Sequence, residues 1–305
     1  MTIRRGVLLA ALAAALVATP AAAQDAPANR IKTVATISII GDLARNVGGN
    51  RVEVTTLVGP NGDAHVYSPT PGDARELAAA AIVFVNGLGL EGWMTRLVTA
   101  SGTKAPMVVV SKGVTPRRMP DEDNPGKTVI DPHAWQSVAD AKIYVANIRD
   151  GLDAIDPAGK AIYDANAQAY LAKLDEVDGE VRAAIAGIPA DRRKIITTHD
   201  AFGYFGAAYG MSFIAPEGLS TDAEPSAKDV AGIIRQIKKQ KIPAVFLENV
   251  SDPRLMQQIA RETGAAIGGK LYSDALSEPN GSAGTYVDMM RHNARQFATA
   301  LGGRV

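Results

Sequence analysis

The chain has 305 residues, 47% of them hydrophobic and 21% charged, with 32 basic residues against 32 acidic ones. That size and composition suit a folded protein with one large core or two medium ones. No Lys/Arg block or basic stripe is present, which argues against nucleic acid as a partner, and with no cysteine the fold must rely on its core alone.

In chain order, the first feature is an address. Arg4-Arg5, the apolar run Gly6 to Val17 and Ala21-Ala22-Ala23 before Gln24 read as a secretory signal peptide over residues 1–23. The mature chain is then expected to begin near Gln24 and to be periplasmic. Without its two leader arginines it carries 30 basic against 32 acidic residues. No cysteine stands at the cut, so the expectation is a protein that is not a lipoprotein. No later apolar run approaches the ~20 residues of a membrane-spanning helix.

Strands and helices then alternate, which predicts an α/β fold with parallel sheets. Strands are expected at Thr33 to Ile39, Val52 to Val58, Ile82 to Asn86 and Met107 to Ser111. Helices are expected from Pro71 to Ala80, with Pro in the first turn, and from Ser137 to Ile155. Pro157 to Ile188 has no strand signal. Ile162, Ala165, Ala169, Leu171, Leu174, Val177, Val181 and Ile185 recur near helical spacing, bounded by Pro157 and by Gly187 with Pro189. A helix of that length, about 45 Å, reads as a rigid connector between two lobes. The second half repeats the alternation. Strands are expected at Lys194 to Thr198, Ala244 to Glu248 and Ala266 to Tyr272. Helices are expected from Ser226 to Lys239, from Pro253 to Gly264 and from Gly284 to Leu301. The predicted division is an N-terminal lobe over 30–155, the long helix over 156–188 and a C-terminal lobe over 190–305.

Only four histidines occur, and His65, His133 and His199 stand 68 and 66 residues apart, with Asp274 a further 75 on. His199 and Asp274 directly follow strand-like runs, where ligands of open parallel sheets bind. His65 lies seven residues beyond Val58, and His133 falls between the fourth strand and the next helix. Two residues thus come from each lobe, which puts a metal site in the cleft between the lobes. Three imidazoles and a carboxylate suit a borderline-soft divalent ion. Asp131 and Asp200 are candidates to orient the rings, and Glu248, expected at the same cleft edge, is read as supporting the ligands from behind or as a hinge.

Other motifs carry less. Gly87-Leu88-Gly89-Leu90-Glu91-Gly92 matches a dinucleotide fingerprint, but no acidic residue follows ~20 positions on, so a tight turn is expected instead. His292 has no partner at ligand spacing, and Asp121-Glu122-Asp123 reads as a solvated loop. No nucleophile elbow, His-Glu-x-x-His helix or P-loop occurs. Three histidines and an aspartate can close a tetrahedral shell and leave no place for a reactive water, so capture is expected rather than catalysis.

The segments Gly62-Asp63-Ala64-His65-Val66-Tyr67-Ser68-Pro69-Thr70-Pro71, Asp131-Pro132-His133-Ala134-Trp135, Thr198-His199-Asp200-Ala201-Phe202-Gly203-Tyr204-Phe205 and Tyr272-Ser273-Asp274-Ala275-Leu276 resemble the zinc/manganese solute-binding proteins of ABC importers, the TroA-like family. The resemblance covers the whole mature chain. It implies two α/β lobes bridged by a long helix, with His65, His133, His199 and Asp274 as ligands. It also implies delivery of the ion to a membrane permease and its ATPase by a non-enzymatic monomer, with a periplasmic metallochaperone as a further candidate partner. Manganese-selective members tend to carry glutamate where this chain has His199, so Zn2+ is expected and Mn2+ is the alternative. Many zinc members also carry a long His-rich loop, whereas the stretch 113–129 here is short and has no histidine. Two other classes stay open at the level of sequence: a periplasmic metal buffer or adhesin-like protein, and a metallohydrolase.

Overall fold

The computed structural model describes residues 30–120, 126–222 and 225–303. The leader and Asp121-Glu122-Asp123 lie outside the described residues. Strand β1 (Ile31–Ile37) passes straight into helix α1 (Ser38–Gly48), followed by β2 (Val52–Val58), α2 (Pro71–Ala79), β3 (Ile82–Val85), α3 (Met94–Ser101) and β4 (Met107–Val109). The four strands form one parallel sheet in the order β2-β1-β3-β4. Val34, Ala35 and Ile37 of β1 and all four residues of β3 are buried, as a sheet covered on both faces requires.

The expected first strand ran to Ile39, but the helix begins at Ser38. Ile39, Ile40, Leu43, Ala44 and Val47 recur at helical spacing and are all buried, so the shared core overrides the β preference of the two isoleucines. Thr70 caps α2 in a capping box with Asp73. Between β4 and α4 (Val138–Ile155) the chain makes an antiparallel hairpin, β5 (Arg118–Pro120) with β6 (Thr128–Ile130). The sequence reading had no strand there.

Helix α5 (Lys160–Ala186) spans 27 residues, about 40 Å at 1.5 Å per residue. Its start is tied to the first half, where Asn166 donates to the Val47 carbonyl and Arg51 pairs with Asp156 and Tyr163. Its end is tied to the second half, where Glu180 pairs with Arg291 and Arg193 donates to the Ala186 carbonyl. The second half holds β7 (Lys194–Ile196), α6 (Gly203–Tyr209), β8 (Ser212–Ile214), α7 (Ala227–Gln240), β9 (Ala244–Glu248), α8 (Arg254–Thr263), β10 (Ala266–Leu271) and α9 (Tyr286–Leu301). Its parallel sheet has the order β10-β9-β7-β8.

One hydrophobic cluster runs through the first sheet, α1, α4, α5 and α9 to the inner face of the second sheet. A smaller one, with Ile196, Ile237, Val245 and Met256, packs α7 and α8 on the outer face. In each sheet the chain leaves a central strand to one side and later returns to the other, β1 to β2 then β3, and β7 to β8 then β9. Such switch points open crevices at the carboxyl ends of the strands.

Candidate metal centre

The four residues singled out in the sequence meet at one point. His65, His133, His199 and Asp274 offer ligand atoms that all lie within 4.8 Å of one another, the only such His/Cys/Asp/Glu group among the described residues. His65 Nε2 is 3.2 Å from His133 Nε2 and 3.1 Å from Asp274 Oδ2, and His199 Nε2 is also 3.1 Å from Asp274 Oδ2. The other carboxylate oxygen, Oδ1, is buried without a hydrogen bond, 3.6 Å from His133 Nε2. His133, His199 and Asp274 are buried, and the side chain of His65 keeps 7% of its exposure.

Each buried ring is held from behind. Asp131, next after β6, accepts the His133 backbone N–H at 3.0 Å and lies 2.8 Å from Nδ1 of the ring. Glu248, the last residue of β9, accepts the backbone N–H groups of Thr198 and His199 at 2.7 and 3.1 Å and sets Oε2 2.6 Å from His199 Nδ1. A carboxylate against Nδ1 keeps that nitrogen protonated and turns the Nε2 lone pair toward the centre. Of the sequence candidates for this role, Asp131 fills it at His133. At His199 it is Glu248, on the neighbouring strand across the switch point, rather than Asp200, the next residue in sequence.

His65 sits in the loop between β2 and α2. Asp63 accepts its backbone N–H at 2.9 Å, and the Trp93 indole donates to the Ala64 carbonyl at 2.9 Å. Trp93 belongs to the unanticipated α3 turn, so sequence spacing held no sign of this contact.

The electrostatics follow from burial and crowding. Burial pulls the His133 pKa down, but the Asp274 and Asp131 carboxylates outweigh it and carry it up to about 9. His199 behaves alike: burial opposes charge, yet Glu248 and Asp274 hold its pKa well above the ordinary imidazole value. Burial would raise Asp274, but His199 and His133 keep it well below the usual carboxylate range. A cluster so arranged attracts cations, protons among them. Four donors on a tetrahedral zinc at ~2.0–2.1 Å stand roughly 3.3 Å apart; three contacts here, at 3.1 to 3.2 Å, come close to that edge, and all four ligand atoms lie within 4.8 Å of one another.

The remaining motifs resolve into structure. Gly87, Leu88 and Gly89 have φ of +78°, +55° and +90°, a left-handed turn that glycine makes affordable at two of its three positions. The Glu91 carboxylate sits under it, accepting from Asn86 N (2.6 Å), Gly87 N (3.1 Å) and the Thr36 hydroxyl (2.7 Å). The chain's own carboxylate thus takes the backbone donors that a phosphate would need. His292 lies apart from the cluster, its Nε2 2.8 Å from the Lys270 carbonyl and its ring against Tyr272.

Two sheets bridged by a long helix, with a buried site of imidazoles and carboxylate where the strand ends converge, define a solute-binding protein whose cargo is a metal ion. The family model of ZnuA, described as "Zinc-uptake complex component A periplasmic", matches residues 33–300, and the chain belongs to this family of metal-binding, substrate-binding components of ABC transporters. It is 35% identical to the manganese-binding lipoprotein MntA of Halalkalibacterium halodurans over 291 residues, 94% of this chain and 95% of that one. It is 34% identical to the iron-binding protein YfeA of Yersinia pestis over 290 residues, covering 94% and 92%. A third relative is the manganese ABC transporter substrate-binding lipoprotein PsaA of Streptococcus anginosus, 32% identical over 94% of each chain. Among solved structures, the periplasmic zinc binding protein TroA of Treponema pallidum superposes with a TM-score of 0.84 at 32% identity, over 90% of this chain and all of that one. As a member of this family the protein is a receptor rather than a catalyst.

One expectation is corrected. The sequence reading excluded a lipoprotein, yet relatives matched along nearly the whole chain are named lipoproteins. Missing cysteine bears on a single anchoring chemistry and was too narrow a ground for placing the protein free of the membrane.

Proposed function

We propose that His65, His133, His199 and Asp274 together hold one divalent cation, that this cation is zinc, and that residues 30–155 and 190–305 act as two lobes that surrender it to the transporter's permease. The observation that carries the reading is the inward convergence of three Nε2 atoms and a carboxylate, three of whose contacts stand near tetrahedral-edge spacing. With Nδ1 of His133 and of His199 facing carboxylates, the lone pairs of the Nε2 atoms point into one space. In the metal-free chain, protons on His133 and His199 supply the positive charge that faces Asp274, and a bound cation would take their place. Three nitrogen donors favour zinc over manganese, as does the general order of divalent affinities.

A specific observation favours manganese as the second reading. Asp274 Oδ1 has no other partner and lies 3.6 Å from His133 Nε2, so the carboxylate can turn both oxygens to the ion. That raises the coordination number and adds the oxygen donation manganese prefers. The names of MntA and PsaA lean the same way.

Replacing ligands one at a time tests the site itself. His133→Ala is expected to weaken zinc binding by orders of magnitude while the metal-free protein stays folded, and near-unchanged affinity would remove His133 from the site. His292→Ala is expected to leave affinity within about threefold, because its ring serves the Lys270 carbonyl instead.

A further inference from the structure

The segment carrying Asp274 has no regular structure, yet side chains from several elements hold its backbone. Asn293 of α9 accepts from Tyr272 N at 3.0 Å and donates to Tyr272 O at 2.8 Å. Trp135 and Gln136 both donate to Ser273 O, at 2.8 and 2.7 Å. Ser38, the first residue of α1, accepts from Leu276 N at 2.9 Å. Between these supports, Asn249 brackets Asp274 on both sides. Its Oδ1 accepts from Ser273 N at 3.3 Å, and its Nδ2 donates to Ala275 O at 3.1 Å. The Ser273 N–H settles which way the carboxamide faces, since only its oxygen can accept there.

The same Nδ2 also lies 3.2 Å from Asn61 Oδ1. Asn61 belongs to the loop that carries His65, four residues before it, and its own backbone N–H donates to Leu276 O at 2.9 Å. Asn61 has φ +54°, a left-handed conformation that asparagine tolerates better than most residues. One carboxamide, anchored by its backbone N–H to Leu271 O beside Glu248, therefore touches the loops of two candidate ligands that come from opposite halves of the chain. Those ligands, His65 and Asp274, are in direct contact at 3.1 Å.

We infer that Asn249 is a positioning residue for metal retention: it fixes the Asp274 segment and, through Asn61, ties the loop of His65 to it, so the ion escapes only when this tie opens. The inference rests on the proposed metal site. His65 is the most exposed of the four, on a loop without regular structure, and is the ligand most easily withdrawn. Asn249 sets how long it stays. Its effect belongs on dissociation, because the approaching ion meets the open arrangement before the tie is made.

The test is a chelator-chase measurement of zinc release, with association followed separately, on the wild-type chain and on Asn249→Asp, Asn249→Ala, Asn61→Gly and the Asn61→Gly/Asn249→Ala double variant. Asn249→Asp keeps the acceptor for Ser273 N and replaces both donations by an oxygen, so release is expected to quicken by about tenfold, with association within about twofold. Asn61→Gly keeps the left-handed backbone and the bond to Leu276 while deleting only the side-chain tie, and is expected to quicken release by about threefold. The double variant should release no faster than Asn249→Ala alone, because both changes cut one connection. A purely structural role would lower thermal stability and leave release from the folded fraction unchanged. Wild-type release from Asn61→Gly, or additive effects in the double variant, would overturn the inference. Should Asn249→Asp fail to fold, Asn61→Gly at its exposed loop still decides the matter. If the wild-type chain itself binds no zinc, the proposed site fails first, and the inference with it.

Discussion

Asp131 is fully buried, with one oxygen 2.8 Å from His133 Nδ1 and the other, Oδ2, without a hydrogen bond and 3.9 Å from Arg117 Nε. A buried carboxylate is tolerated where it is paired, and Asp131 is paired with His133, whose ring it orients. Asp131→Asn should therefore weaken metal binding by about 10- to 100-fold and, by removing a partner of the charged His133, lower the melting temperature of the metal-free protein below about pH 9; chelator competition and thermal unfolding read the two halves. Equal affinity would show that the ring is positioned by packing alone. The pH dependence follows from the same groups. His133 is raised above its ordinary 6.5 to about 9, so in the metal-free chain its ion pairs stabilise the fold fully below the ordinary value and are lost as pH rises through about 9. Asp274, being depressed, contributes above the usual carboxylate pKa and loses its contribution as pH falls through its lowered value. A metal must displace the proton on His133, so apparent affinity should fall by roughly tenfold per proton for each pH unit below about 9. A pH-independent affinity between 6 and 8 would contradict the assignment. The four clustered residues were legible in sequence because histidine is rare here and strand ends mark binding edges. Glu248 was legible as a supporting or hinge residue at the cleft edge, but its partner was not, since its contact with His199 crosses from one strand to its neighbour. Asn249 and Asn61 carried no signal: their meeting joins residues 188 apart through a single side-chain bond.

Elements with strong periodic patterns were read well, and short ones were missed. Strands β2 and β9 match the expected ranges to the residue, and α4 and α7 differ by a residue or so at their ends. The hairpin β5–β6 and the helices α3 and α6 are short enough that neighbours, not local pattern, decide them. On α5 the expected apolar stripe was partly wrong. Ala165 and Ala169 are exposed, while Tyr163, Ala167 and Tyr170 are buried. Tyrosine hid the stripe because its hydroxyl lets it reach polar partners, Asp156 for Tyr163 and Asp42 for Tyr170. Close packing also sets a testable limit on α4. A Cβ at Gly151 would lie 2.9 Å from Val108 Cγ2, 3.1 Å from Phe84 Cε1 and 3.3 Å from Ile82 Cδ1. Alanine favours a helix by ~1 kcal/mol over glycine, but overpacking against a filled sheet costs about 1–3 kcal/mol. Gly151→Ala is expected to be destabilising on balance, and a rise in denaturation midpoint would show that helix and sheet can separate there.

At the scale of the whole molecule, α5 and the shared core hold the two halves in one piece, while the centre draws on both. His65 and His133 come from one half, and His199 and Asp274 from the other. That split was visible in the sequence from the alternation of elements and the single long helix. The choice of metal was not, since coordination depends on the ångström-scale placement of loops that the sequence pattern does not record. The proposed receptor is built on three imidazoles and one carboxylate and prefers zinc. Its most direct test is a competition titration of metal-stripped protein with zinc and manganese, using a chelator of known affinity. One equivalent of zinc bound far more tightly than manganese is the result expected. Manganese bound as tightly as zinc or tighter, or no stoichiometric binding of either ion, would contradict it.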